Sequence, residues 1–378
     1  SRRSTQCREG HATGPVRLLT DGGTVTIDDG FSTSNNLTID VRAGGAVTGG
    51  VGGVGQITAG AAGAATLTVR ASTGIGLTNG ANRAAIADLD NDTSGNITYQ
   101  NNRNLLLTAV NGPAAGSITV TNNTGTLQTT GVVTAANAAA DVTLNSAGQI
   151  TLNHNVTAGD TIVLNPSANG MLQAAGTITA DDLLLLGTGD FQFIFMGTND
   201  VNTLAANIAG EIMPFWDNTA LTIDTVNAVS GITTGGNDIG IYSQNQMTVS
   251  QDITLGAGIA TLGTANTGGV QTGGALTGAG VKFDGDGDFT FNQAGNDVND
   301  LASINAGDVS FTDSDDLSIG TVDGLNGMST AGGDITVNTG GLLTLTRNLN
   351  AGVGTVTLNP SAGGVDQTGG TITAASLL

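Results

Sequence analysis

Lysine and glutamate are nearly missing from this chain. Lys282 is the only lysine, and Glu9 and Glu211 are the only glutamates. Both residue types are favoured on exposed helix surfaces, and no stretch shows a helical spacing of apolar residues, so an α-helical architecture is excluded. Cys7 is the only cysteine, which rules out an internal disulfide framework. No apolar run reaches 18 residues, so no membrane-spanning helix is expected. The opening SRRSTQCREGHATG is basic but has no apolar core segment, and it does not read as a signal peptide. Aromatic residues make up 3% and charged residues 11%, too few for several ordinary globules with polar helical surfaces.

What is present points one way. Of 31 acidic residues 29 are aspartate, and there are 60 glycines. Aspartate, asparagine and glycine are turn residues, and the segments between them are rich in Val, Ile and Thr. Hydrophobic content of 39% is too high for a disordered chain. The sequence therefore reads as many short strands joined by tight turns.

Charge is unevenly placed. Residues 1–103 balance eight arginines against eight acids, whereas residues 104–378 hold two bases, Lys282 and Arg347, against 23 acids. The whole formal charge of −21 thus sits on the body of the chain, which repels nucleic acid and anionic lipid. It suits a secreted particle, a divalent-cation binder or docking to a basic partner.

The chain repeats itself. TIVLNPSANGMLQAAGTITADDLLLLGTGDF (161–191) returns at 260–289 and again at 355–378. DVTLNSAGQITLNHNVTAG (141–159) returns at 238–256 and 334–352, and Asp200-Val201-Asn202 at Asp297-Val298-Asn299, at offsets of 96–97 residues. The organisation is a basic segment at 1–16 without a strand pattern and N-terminal strands with a Gly/Ala-rich stretch at 17–65. A degraded repeat follows at 66–149, then repeats at 150–246 and 247–342 and a partial one at 343–378. Strand-like pieces this short and this regular predict an all-β fold, a single-stranded parallel β-helix (β-solenoid) with three-sided coils of roughly 19–24 residues. Phe191, Phe193, Phe289 and Phe291 alternate with polar residues and are expected in the core.

The NPSAGG, GTITA, LLLLGTGDF and NDVN pieces of residues 140–378 resemble the repeats of filamentous-haemagglutinin-like large exoproteins of bacteria. That resemblance implies a right-handed parallel β-helix, export to the cell surface, and a role in adhesion or fibre building. The N-terminal region does not resemble the secretion domain of the two-partner type.

Few motifs carry chemistry. Asn165-Pro166-Ser167 and Asn359-Pro360-Ser361 read as type I turns, since the middle copy has Gly263-Thr264-Ala265 in their place. Asp284, Asp286 and Asp288 alternate like the first ligands of a Ca²⁺ loop, but Phe289 and Gly295 stand where an EF-hand needs Gly and Glu. They are read as solvated turn acids, with Ca²⁺ as the alternative; no other cofactor is expected. Asp88, Asp90 and Asp92 fail the same test, with Tyr99 in the twelfth position. Thr177/Thr179 and Thr371/Thr373 could form an ice-binding ladder, but Ala275 interrupts it. With two bases in the body and His11 and His154 in unrelated places, no catalytic acid–base set is visible, and no enzyme activity is expected.

The copy at 150–246 departs from its sister toward apolar residues. Leu183–Leu186 replaces Val281-Lys282-Phe283-Asp284, and Met213-Pro214-Phe215-Trp216 replaces Ser310-Phe311-Thr312 with one residue inserted. Strand alternation should turn some of Leu184, Leu186, Ile194, Met196, Met213 and Trp216 outward, as a lateral interface. Arg2, Arg3, Arg8 and Arg17 at one end and Leu377 and Leu378 at the other suggest head-to-tail association. The expected function is non-enzymatic: a structural rod, self-assembling filament subunit or adhesin shaft, extracellular or on a bacterial surface. Its expected partners are other copies of itself, or surface glycans and proteins. Recognition of glycan or host surface is the alternative role, and a polysaccharide-active β-helix enzyme a more distant one.

Overall fold

A computed structural model describes the chain except residues 1–4, 8–9, 13–14, 34–38, 50–54, 61–64, 113 and 195–198, with backbone alone at 5–7, 10–12 and 31. The described residues form strands and turns without a helix, and the chain packs as two units, Ser1–Gly189 and Asp190–Leu378. The fold is the expected one, an all-β parallel β-solenoid.

In each unit the chain winds so that a strand pairs, parallel and in register, with the strand one coil later. Val142 lies beside Ile162, and Ile162 beside Leu183 in the first unit. Ile239, Ala260, Val281 and Leu301 follow one another in the second. Three such ladders run side by side in the second unit: Ile239–Ser243, Met247–Val249 and Ile253–Thr254 each pair with the corresponding strand of the next coil. The coils are three-sided, as expected from their length. Alternate residues point inward, and these are the apolar ones: Ile118, Val142 and Ile162 are fully buried. The four expected core phenylalanines are buried, and in the second unit the rings of Phe289 and Phe291 pack against Phe283 with centroids 4.9 and 4.8 Å away.

The first residues contain strands that the sequence pattern did not show. Thr5–Cys7 pairs with Val25–Ile27, and Gly10–Ala12 with Phe31–Thr33. Three-residue strands are too short for periodicity to register; they form because the next coil supplies their hydrogen-bond partners. A second departure is a pair of hairpins leaving the coil in the second unit. Thr225–Val226 pairs antiparallel with Val229–Ser230, and Thr321–Val322 with Leu325–Asn326. Both turns have positive φ at two successive residues, Asn227 (48°) and Ala228 (68°), and Asp323 (46°) and Gly324 (73°), as two-residue hairpin loops require. Val226 and Val322 are buried, so the hairpins fold back on the outer face of the coil.

Polar side chains fasten successive coils. The residue just before a strand is repeatedly Asp or Asn, and its side-chain oxygen accepts the backbone N–H of the equivalent residue one coil later. Asn104 accepts from Thr126 (3.1 Å), Asp141 from Thr161 (3.2 Å), Asp238 from Ile259 (2.8 Å) and Asp252 from Ala275 (2.8 Å). Asp288, Asp308 and Asp334 form an unbroken series, accepting from Asp308 (2.9 Å), Asp334 (2.7 Å) and Thr355 (2.7 Å). Coils stack about 4.8 Å apart, a gap that a side chain with its oxygen two bonds beyond Cβ spans while keeping the strand geometry. Inside the first unit, buried asparagines add a second set: Asn91 donates to Asn111 (2.9 Å) and Asn101 to Asn122 (3.1 Å).

Two carboxyls lie deeper. Asp217 and Asp313, 96 residues apart, are 1% and 2% exposed. Asp313 accepts N–H groups of Val298 (3.0 Å) and Asp315 (3.1 Å). Burial pushes its pKa up to about 6, with the charge of Asp315 adding and the two N–H groups opposing. Asp217 is raised for the same leading reason.

Two outcomes are expected. Asp308→Ala should lower unfolding stability in urea by about 1 kcal/mol with an unchanged m-value, as loss of a capping oxygen does. Asp308→Asn should retain most of it and Asp308→Glu should not; a Glu variant as stable as the parent would show that side-chain length is immaterial. The second concerns pH. Asp313 holds its proton more tightly folded than unfolded, so its contribution is full below the ordinary carboxylate range and is lost as pH rises through about 6. Between pH 4 and 7 the melting temperature of the parent should therefore fall relative to that of Asp313→Asn, and parallel curves would refute the burial effect.

Candidate functional site

The inserted residue at Met213-Pro214-Phe215-Trp216 has a direct structural result. Ile212 pairs with Ile239 but Phe215 with Ile241, so Met213 and Pro214 together face Gly240. This is a β-bulge, one of the few places in a sheet that tolerates proline, which has no N–H to give to the ladder. Beyond the bulge the register resumes with Trp216 beside Tyr242.

The bulge and its neighbours shape the outer face of the second unit. The rings of Trp216 and Tyr242 stack with centroids 4.3 Å apart and an interplanar angle of 7°. Tyr242 then lies flat on Gly263, where an added Cβ would collide with ring carbons Cδ1 and Cε1. Gly240 likewise sits tight against Pro214, whose Cβ would be 3.3 Å from a Cβ there. Burial first, then the charges of Asp284 and Asp323, push the Tyr242 phenol up to about 12, so it stays protonated as a hydrogen-bond donor. The indole Nε1 of Trp216 is buried with no hydrogen-bond partner among the described residues.

A cleft of about 290 Å³ opens beside this stack, walled by Met213, Pro214, Gly240, Tyr242 and Thr261 and rimmed by the carboxyls of Glu211, Asp238 and Asp323. Across Met213 and Pro214 it adjoins a second, mainly apolar hollow of about 460 Å³, lined also by Gln192, Phe193 and Ile194. Ile194 is 63% exposed and Met213 37%. Glu211 occupies a pre-strand position that is Asp in neighbouring coils; its backbone N–H is held by Asp190 at 3.1 Å. Its pKa is raised by burial and then by the charges of Asp190 and Asp238. Asp323 sits on the turn of the Thr321–Asn326 hairpin and pairs with Lys282 at 3.2 Å, and the same ammonium lies 3.6 Å from Asp284.

The structure sorts the sequence candidates. Ile194 and Met213 do face outward and border one hollow, and Trp216 is half-buried in the stack beside it. Leu184 corrects the expectation of an exposed apolar row: it is 3% exposed, and Leu186 is half-buried. Alternation places Leu184 in the outer row beside Val163, but an outward direction is not exposure in a solenoid whose outer face is itself covered in places. The matching position in the next copy, Lys282, is 14% exposed with Asp323 of the hairpin against it. Met196 lies outside the described residues.

The head-to-tail candidates divide similarly. Arg2, Arg3 and Arg8 lie outside the described residues. Arg17 is exposed but pairs with Asp40 of its own unit at 3.3 Å, where Arg42 binds the same carboxylate at 3.0 Å. Leu377 and Leu378 are 56% and 73% exposed on the final coil. Asp284, Asp286 and Asp288 do not converge: Asp284 faces Lys282 and Asp288 holds the N–H of Asp308. Among the described residues no three acidic, histidine or cysteine side chains gather as a metal site.

Sequence reading missed Glu211, Asp238, Tyr242 and Asp323 as neighbours. One signal was available, since Glu211 is the sole glutamate among residues 104–378. Comparison with protein-family models, curated proteins and solved structures finds no match to this chain.

Gly263→Ala should push Tyr242 off its seat and part it from Trp216. The expected effects are a shift in the emission of this single tryptophan and a loss of about 1–3 kcal/mol of stability. Unchanged emission would mean that the stack does not depend on Gly263.

Proposed function

We propose that this chain is a non-enzymatic structural β-solenoid, a secreted or cell-surface module that serves as an adhesin shaft or filament subunit. The observation that carries the reading is the use of the polar side chains. Pre-strand Asp and Asn tie coil to coil, buried Asn stack in the corners, and Arg17, Arg42, Arg70, Lys282 and Arg347 pair with neighbouring acids or hydroxyls. Such a chain devotes its chemistry to holding register along the winding. The resemblance of residues 140–378 to filamentous-haemagglutinin-like repeats points the same way, toward export and adhesion. A role in recognising a surface partner is favoured by one feature alone, the cleft beside Tyr242.

Thermolysin digestion tests the structural role, because it does not depend on the scarce basic residues. Both units should survive hours under conditions that degrade an unfolded chain in minutes, since solenoid backbone is paired coil to coil. Rapid cleavage at many internal sites, or release of sugars from a bacterial polysaccharide by the pure protein, would overturn the proposal. Electron microscopy at rising concentration separates its two forms: filaments of constant width identify a subunit, and separate particles identify a shaft.

A further inference from the structure

The cleft on the second unit has an unusual balance of chemistry. Its walls are apolar or aromatic, from Met213, Pro214 and Tyr242, whereas its rim carries Glu211, Asp238 and Asp323 and, among the described residues, no lysine or arginine lines it. The unit as a whole holds nineteen acids and two bases. Lys282 is already shared between Asp284 and Asp323, and Arg347 binds Thr321 and Asn326. Asp323 is thus balanced in part by Lys282, but Glu211 and Asp238 have no ion-pair partner among the described residues, so the rim keeps a surplus of negative charge. The crowding is visible at Glu211, whose proton affinity is raised by burial and by Asp190 and Asp238.

We propose that this cleft binds an arginine side chain of an extended basic peptide segment in a partner protein, with an aliphatic neighbour of that arginine seated on the adjoining Phe193–Ile194–Met213 hollow. The size fits: about 290 Å³ is at the lower limit of small-ligand pockets, room for one side chain rather than a folded element. The charge fits, because a planar guanidinium can bond two rim carboxylates while its stem lies along Pro214 and Met213. The apolar hollow fits an aliphatic side chain and shares Met213 and Pro214 with the cleft, so one short extended segment reaches both. Tyr242 contributes its hydroxyl and ring edge, since its two faces are covered by Trp216 and Gly263. Recognition is thus through carboxylates and not through the face of an aromatic ring.

The site belongs to one repeat. In the next copy Asp308 stands for Glu211, Ser310 for the Met213-Pro214 bulge and Asn338 for Tyr242. This inference goes beyond the structural role proposed above and does not require it: a shaft, a filament subunit or another solenoid module could each carry the cleft.

Calorimetric titration of the full chain tests it, with Trp216 emission read in parallel. The probe is an octapeptide alternating arginine and leucine; the comparisons are its citrulline counterpart, spermine and magnesium chloride. Saturable one-to-one binding of the arginine peptide is expected, weakened about tenfold or more by Glu211→Gln combined with Asp323→Asn, a loss of about 1.4 kcal/mol or more. Met213→Ser should weaken binding as well, by removing the shared apolar wall. Asp366→Asn, which removes an exposed acid that does not line the cleft, should leave affinity unchanged. The proposal is overturned if the peptide gives no saturable binding, or if spermine or magnesium matches it. Equal weakening by Asp366→Asn would overturn it too, because binding would then be diffuse attraction to an acidic surface.

Discussion

The hydrogen bond from a pre-strand Asp or Asn to the backbone N–H one coil later underlies much of this structure. A solenoid coil has no neighbour to bury its edge except the next coil, so register between coils decides which side chains face the core. The strand ladders hold that register along each face, and backbone bonds such as that from the Asp286 N–H to the Thr264 carbonyl (2.9 Å) carry it into the turns, but some N–H groups there have no backbone acceptor. There the short carboxylate or amide of residues such as Asp141, Asp238, Asp308 and Asp334 supplies the acceptor for an N–H that would otherwise lack one. The preference for Asp over Glu follows from reach: one more methylene would carry the oxygen past the N–H that lies a single coil away.

The acidity of the protein follows from the same constraint. An aspartate chosen for its geometry brings a charge with it, and a stack of such residues brings a column of charges. Most lie at exposed turns, where water screens them. Asp217 and Asp313 are the exceptions, buried at strand ends where two or three donors converge, and there burial raises the proton affinity despite the hydrogen bonds. The coil-to-coil bond and the net charge are thus two aspects of one choice of residue.

The cleft shows how a repeat acquires individuality. One inserted residue makes the Met213-Pro214 bulge, and the space for it comes from Gly240. Gly263 in turn lets Tyr242 lie flat and stack on Trp216. Glu211, too long for the coil-to-coil bond that Asp makes in other coils, is left at the rim. The core beneath continues without interruption, because Ile212 and Phe215 still point inward. A solenoid can change one coil's outer surface in this way because inner and outer residues alternate and are largely independent.

The winding follows from the order of residues alone. The 96–97-residue offset, the alternation around Phe191 and Phe289, and the Asp/Asn/Gly turns were enough for parallel three-sided coils, because each is a local property repeated many times. The sequence also marked Met213-Pro214-Phe215-Trp216 as the place where one copy differs. What that difference makes depends on how the coils pack. Glu211, Asp238 and Asp323 are separated by up to 112 positions in the chain and meet because coils stack and a hairpin folds back over them. Burial of Leu184 was decided in the same way: alternation gives the direction of a side chain, and only the folded neighbours determine whether water reaches it.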